Sequence, residues 1–194
     1  MSATSIPNAE SSIAEIKTFL KDRGVNFSSC LEKADFLALV EKAVAENTPI
    51  VSKPYPLAAL LGGDLVDREG HVVTAQSLRG KVVGLYFSAH WCPPCRRFTP
   101  LLSETYKKLQ ASHPGQFEII FLSADRSQAQ FDEYYAEMPW LTIPYPERKR
   151  KEHLDSVHRI RGIPSLKLYN AEGVLYESEG IERVYSDPSA FPWD

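Results

Sequence analysis

The sequence predicts an α/β architecture in which a central mixed sheet is flanked by helices, with a small helical hairpin ahead of it. Three observations carry this. Val82 to Ser88 and Phe117 to Ser123 are nearly continuous apolar runs, as expected of strands buried on both faces. Each is followed by a segment of helical periodicity. The last two strand-like segments are close enough in sequence to form a hairpin, giving βαβα and then ββ.

Taken in order, residues 1–10 are small and polar and are predicted to be disordered. Residues 11–47 read as a helical hairpin. In its first helix Ile13, Ile16 and Leu20 share a face, and Ser12 with Glu15 has capping-box spacing. Its second helix is predicted from about Ser29, with Glu32 at the same spacing and Phe36, Leu37, Val40, Ala43 and Val44 as the apolar stripe. Residues 48–56 hold Pro49, Pro54 and Pro56 and read as a linker. The main domain is expected over residues 57–194. It opens with a hairpin, Asp64 to Thr74, turning through Asp67-Arg68-Glu69-Gly70. Helices follow over Pro93 to Ser112, Ser127 to Met138 and, past the stretch Pro139 to Pro146, about Glu147 to Arg159. Ser165 to Asn170 and Val174 to Ser178 close the pattern as a hairpin around Ala171-Glu172-Gly173.

With 194 residues, 43% of them hydrophobic, the chain can bury a packed core. A net charge of −3 supplies no field to attract nucleic acid or acidic lipid. No apolar run reaches the roughly 18 residues of a membrane span, and the first residues have neither the positive nor the apolar part of a secretory signal. The expectation is a soluble monomer of the cytoplasm, with the nucleus also open to it. Three cysteines are too few for a disulfide-stapled scaffold, and two of them form one C-x-x-C.

That motif carries the chemistry. In Tyr86-Phe87-Ser88-Ala89-His90-Trp91-Cys92-Pro93-Pro94-Cys95-Arg96 a strand ends, the chain turns, and Cys92 falls at the N-cap of a helix. Pro93 fits the first turn because its missing N–H would have been an orphan there. The free N–H groups and positive end of the helix favour the thiolate of Cys92, the form that attacks disulfides. Cys95, one turn in, is placed to attack the mixed disulfide that results. Arg96 and Arg97 either add positive charge beside the thiolate or form a solvated face. A zinc site would need four ligands, and no second Cys or His pair stands at suitable spacing. A purely structural disulfide across one helical turn would constrain almost nothing. The redox reading is the one that strand, Trp91, C-P-P-C and helix support together. It requires no cofactor beyond the Cys92–Cys95 disulfide itself.

At these residues the sequence resembles the nucleoredoxin and tryparedoxin branch of the thioredoxin superfamily. The matching stretches are YFSAHWCPPCRRFTP, FEIIFLSADRS, EMPWLTIPY, GIPSLKLYNAEG and the final FPW. The resemblance implies a thioredoxin-like fold, a nucleophilic Cys92, a resolving Cys95, and a cis Ile163–Pro164 bond facing them that leaves the preceding backbone open to an extended substrate. It implies protein disulfides as substrates and a reductase or low-molecular-weight dithiol as electron donor, with a peroxidase as one possible recipient. Thioredoxins carry a buried aspartate six residues before the first cysteine; Tyr86 stands there here, so the proton of Cys95 must be managed differently. Asp125 is expected either to accept a hydrogen bond from the Trp91 indole, supporting the active-site turn with Pro94, or to cap the following helix. His90 reads as exposed on the turn, with a general-base role as the alternative. Met138-Pro139-Trp140 reads as core packing or the border of a substrate groove, and Trp193 as a plug over the sheet edge.

Residues 19–40 resemble small SAP-like helix-extended-helix modules, some of which bind nucleic acid. From Glu10 to Asn47 five basic residues (Lys17, Lys21, Arg23, Lys33, Lys42) face seven acidic ones (Glu10, Glu15, Asp22, Glu32, Asp35, Glu41, Glu46), so protein docking or stabilisation is the expected role. Cys30 is either a small buried hydrophobe or a regulatory thiol. Two functions of different class follow: a dithiol reductase of proteins, or a redox-gated binding module whose Cys92–Cys95 state controls docking.

Overall fold

The computed structural model describes residues 6–8, 10–22, 27, 32–45, 55–187 and 190–193. The chain divides into two compact units, Met1–Pro54 and Tyr55–Asp194.

In the first unit, α1 (Ile13–Asp22) and α2 (Lys33–Ala45) pack through Ile16, Phe19, Leu20, Phe36 and Val40. The capping box at α1 is reciprocal. The Glu15 N–H donates to Ser12 Oγ (3.2 Å) and the Ser12 N–H to Glu15 Oε2 (2.7 Å), and these bonds hold the Glu15 carboxyl below its usual range. The second helix begins later than expected. Ser29 and Cys30 lie outside the described residues, and Glu32 precedes the helix instead of sitting in its first turn. The Glu32 N–H donates to Asp35 Oδ2 (2.9 Å), so Asp35 does the capping that the spacing assigned to Glu32.

The second unit starts two residues earlier than the linker prediction allowed. Tyr55 is buried, and Pro56 is the first residue of a short helix, α3 (Pro56–Leu61), whose Leu57 and Leu61 are buried. Proline clusters are ambiguous in sequence because the first turn of a helix tolerates Pro as well as a linker does. Then come β1 (Leu65–Val66), β2 (Val72–Val73), a 3-10 turn (Ala75–Leu78), β3 (Val82–Ser88), α4 (Pro93–Ser112), β4 (Phe117–Ser123), α5 (Gln128–Tyr135), β5 (Leu141–Thr142), α6 (Arg148–Val157), β6 (Ser165–Tyr169), β7 (Leu175–Glu177) and α7 (Gly180–Ser186). The sheet order is β2-β1-β5-β4-β3-β6-β7. β3, β4 and β5 run parallel, and the remaining pairings are antiparallel. β5 was not expected. Two residues between prolines carry no readable period, yet Thr142 pairs with Val66 and Phe121 and so joins the first hairpin to the parallel core. α5 stops at Tyr135, before Met138 and Pro139.

Side-chain alternation on β3 and β4 makes two cores. Tyr86, Phe117, Ile119 and Phe121 face α4 and α5 with Phe98, Leu102 and Trp140. Val83, Leu85, Phe87, Ile120 and Leu122 face α3 and α6 with Leu57, Leu61 and Leu154. Met138 and Trp140 belong to the first core. So does Trp193, but not over a sheet edge: its ring stands 5.5 Å from Phe117, on the interior strand β4, and its Nε1–H donates to Asp187 O (2.9 Å). Among the described residues two peptide bonds are cis, Ile163–Pro164 and Phe191–Pro192. Past α6 the Ile160 N–H returns to Asp155 O (2.9 Å), which places Arg159 in the left-handed region, φ 50°. This is the usual seat of glycine, and a side chain there costs roughly 1 kcal/mol.

Candidate active site

Adjacent parallel strands end side by side at Ser88 and Ser123, and the loops leaving them are tied together. The Ala124 N–H donates to Ser88 O (2.8 Å), the His90 N–H to Asp125 Oδ1 (2.7 Å), and the Trp91 indole N–H to Ala124 O (2.9 Å). Asp125 is buried, and its second oxygen accepts from Ser123 Oγ (2.7 Å). The expected Asp125–indole bond is therefore replaced: the indole takes a backbone carbonyl, and the carboxylate takes the backbone N–H preceding the tryptophan. Nor does Asp125 cap α5; Ser127 Oγ does, accepting from the Gln130 N–H (3.3 Å). His90 is half-buried, with its ring 5.7 Å from Tyr134 and Nε2 3.9 Å from Glu133, and is not exposed as expected.

The Cys92 N–H donates to Ala89 O (3.2 Å), and Cys92 then sits at the N-cap of α4 with extended backbone, φ −95° and ψ 108°. Pro93 and Pro94 occupy the first turn. The Cys95 N–H points at Cys92 Sγ from 3.3 Å, and the two cysteines are joined as a disulfide. Cys95 is fully buried, whereas Cys92 is 4% exposed and Trp91 43%. Across from them, the Ile163 carbonyl oxygen lies 3.7 Å from Cys92 Sγ. The Arg126 guanidinium stacks 4.9 Å over the Trp91 ring, a contact sequence reading had not singled out. Arg96 is exposed on the first turn.

Beneath Cys95 lies a buried cluster of hydroxyls. Thr99 Oγ1 donates to Cys95 O (3.1 Å) and stands 2.8 Å from Tyr86 Oη and 2.5 Å from Tyr134 Oη; Ser88 Oγ lies 3.0 Å from both phenols. Burial raises the Tyr86 phenol far above its ordinary value, so it stays neutral. A neutral donor thus occupies the place of the thioredoxin carboxylate. Ser88 and Thr99 had weak signals in the sequence, two residues after Tyr86 and one turn after Cys95; Tyr134 had none.

Residues 80–173 match a family model described as thioredoxin-like. Nucleoredoxin of Danio rerio is 43% identical over 143 residues, 72% of this chain and 34% of its own length. Nucleoredoxin of Homo sapiens is equally identical over the same span, 32% of its length, so the chain spans about a third of the nucleoredoxins it matches. Tryparedoxin of Trypanosoma brucei brucei is 40% identical over 142 residues, 71% of this chain and 96% of that protein. The chain belongs to the nucleoredoxin/tryparedoxin branch of the thioredoxin-like family. Among solved structures of this branch, tryparedoxin II from Crithidia fasciculata superposes with a TM-score of 0.66 at 36% identity, over 71% of this chain and 93% of its own. A second structure is tryparedoxin II complexed with glutathionylspermidine, TM-score 0.63 and 36% identity, over 68% and 92% of the two chains. The nucleoredoxin and tryparedoxin relatives are thiol–disulfide oxidoreductases. The family match at residues 80–173 lies within the second unit. Among the described residues, no helix is long and apolar enough to cross a membrane.

Proposed function

We propose that the chain is a protein-disulfide reductase in which Cys92 is the nucleophile and Cys95 the resolving thiol. The observation that carries this is the position of Cys92 Sγ: at the N-cap of α4, bonded to Cys95 one turn away, and 3.7 Å from the Ile163 carbonyl oxygen. In the reduced protein the Cys92 thiolate attacks one sulfur of a substrate disulfide and expels the other as a thiolate, which takes up a proton. Cys95, deprotonated in turn, attacks Cys92 Sγ, releases the second substrate thiol and leaves the Cys92–Cys95 disulfide. Two electrons pass to the substrate. A dithiol donor or a reductase returns them by the same exchange in reverse. A relative solved with glutathionylspermidine supports a low-molecular-weight thiol as one such donor, and a peroxidase disulfide is a fitting recipient. Trp91 and Asp125 hold the turn, Pro93, Pro94 and Arg96 shape the helix start, and Ile163 with Pro164 forms the opposite wall against which an extended substrate lies. The cytoplasm or nucleus is the setting in which such a dithiol would be kept reduced.

Reduction of insulin driven by dithiothreitol tests the reading. Catalytic turnover abolished by Cys92→Ser, with Cys95→Ser accumulating substrate as a mixed disulfide, is the expected result. Stoichiometric capture of partners without turnover would replace the reductase by a redox-gated binding module.

A further inference from the structure

We propose that the cavity beside Pro164 selects disulfides embedded in an acidic, extended polypeptide segment. The proposal rests on the reductase reading and names the substrate class of that same site.

The cavity, about 420 Å³, is lined among others by Arg159, Arg161, Ile163, Pro164, Lys167 and Glu179. Among the described residues its ionic groups are three cations and one carboxylate, in a chain whose net charge is −3. Lys167 is already engaged: Nζ donates to Ser178 O (2.7 Å) and lies 4.0 Å from Glu179 Oε1. The guanidiniums of Arg159 and Arg161 are exposed and have no ion-pair partner among the described residues. Two positive charges are therefore left unneutralised at the wall of the redox centre. On its other side Arg126, stacked on Trp91, adds a third.

Placement decides what these charges can meet. Ile163 O lies 3.7 Å from Cys92 Sγ, and Arg161 is two residues before Ile163, at most about 7 Å of backbone away. A substrate cysteine attacked by Cys92 would carry its next few residues along this wall, within reach of both guanidiniums. Guanidinium forks match carboxylates bidentately, and unpaired charges flanking a reaction site act chiefly on encounter rate and partner choice. Helix termination alone does not account for Arg159, since its left-handed backbone is one that glycine adopts without strain. Solvated arginines with no ligand are the competing explanation, and substrate selectivity separates the two.

The test uses the full chain, recycled by dithiothreitol at low ionic strength. Three peptides share one disulfide and differ only in flanking Asp/Glu, Ser or Lys residues. The acidic peptide should exceed the lysine peptide in kcat/KM by about tenfold, and near 0.5 M salt that ratio should fall toward unity. The pair Arg159→Gly and Arg161→Gln should cut the ratio at least about threefold without lowering Tm, because glycine relieves the left-handed residue. Equal turnover of the three peptides, or an unchanged ratio in the double variant, overturns the proposal and leaves the reductase reading standing. No turnover of any peptide by the unaltered protein removes both. Glutathione disulfide reduced as efficiently as the acidic peptide would move the selectivity to a small anionic disulfide and overturn the claim for an extended segment.

Discussion

The Thr99 hydroxyl donates to the Cys95 carbonyl at 3.1 Å and stands 2.5 Å from the Tyr134 hydroxyl, so one side chain joins the Cys95 turn to the buried phenols. Because the Thr99 proton is committed to that carbonyl, both phenols must donate to Thr99 Oγ1. Ser88 then has one proton for two phenol contacts, and the cluster is one proton short of saturation. Removing Thr99 Oγ1 takes one contact from each of three buried partners and leaves the two phenols to share Ser88 Oγ. Thr99→Val should cost about 1–3 kcal/mol, read by urea denaturation, whereas Thr99→Ser, which keeps the oxygen, should cost less. Equal losses in the two variants would show that the methyl, and not the hydroxyl, matters.

A second prediction concerns the turn before Trp91. Asp125 accepts the His90 N–H and the Ser123 hydroxyl, both at 2.7 Å, in a site only 3% exposed. Asp125→Ala leaves two buried donors without an acceptor and should lower stability by about 1–3 kcal/mol. It should also slow mixed-disulfide formation at Cys92, because the turn that presents the sulfur loses its tie to the neighbouring strand. Asp125→Asn retains an acceptor and should fall between. Calorimetric Tm and the rate of peptide trapping by a Cys95→Ser background measure the two effects. A trapping rate unchanged in Asp125→Ala would mean that the indole bond to Ala124 positions the turn alone.

How much of this was legible in the sequence depended on the kind of signal. β3, β4 and α4 have the bounds that their apolar runs and the Cys92-Pro93 start mark, because each is long and its period is set by burial. Cys92 at the N-cap was readable for the same local reason. β5 was not, since a two-residue strand is made by its neighbours Val66 and Phe121. The Asp125 geometry failed in the same way. Sequence placed the carboxylate near the turn, but which of two donors it meets depends on how the ends of β3 and β4 align. Tyr134 lies 35 residues from Thr99, and no spacing rule joins a helix hydroxyl to a phenol on another helix. Local order was written in the chain, and long-range polar pairing was not.

Gly173 offers a test of how the second unit is closed at its first residue. Its φ is 78°, and an added Cβ would come within 2.5 Å of the Tyr55 ring and 3.1 Å of the Leu57 nitrogen. Tyr55 is buried and its hydroxyl donates to Leu78 O (3.3 Å), so the ring has little freedom to retreat. Gly173→Ala should destabilise by about 1–3 kcal/mol from overpacking, with roughly 1 kcal/mol more from the left-handed backbone. Gly173→Asn tolerates the backbone but not the contact. If asparagine restores full stability in denaturant titrations, the contact with Tyr55 is slack and the backbone alone demands glycine.

The last prediction is a pH dependence with a definite sign. His158 is half-buried against side chains of β3 and β6, its Nε2 3.1 Å from Tyr169 Oη and its ring 5.6 Å from Phe87. Burial, and next the charge of Lys167, hold its pKa below the ordinary 6.5, only partly offset by Asp155. The folded chain therefore binds fewer protons here than the unfolded chain between the lowered value and 6.5. Stability contributed by this group is complete above 6.5 and is lost progressively as pH falls through that window. The contact with Tyr169 Oη does not set the sign, because a phenol oxygen can accept from a protonated Nε2 as well as donate to a neutral one. Urea midpoints for the unaltered chain should drop between pH 7.5 and 5.5, and His158→Gln, which does not titrate, should flatten the drop while keeping an acceptor for Tyr169. An equal slope in the variant would place the acid sensitivity elsewhere and leave His158 a packing residue.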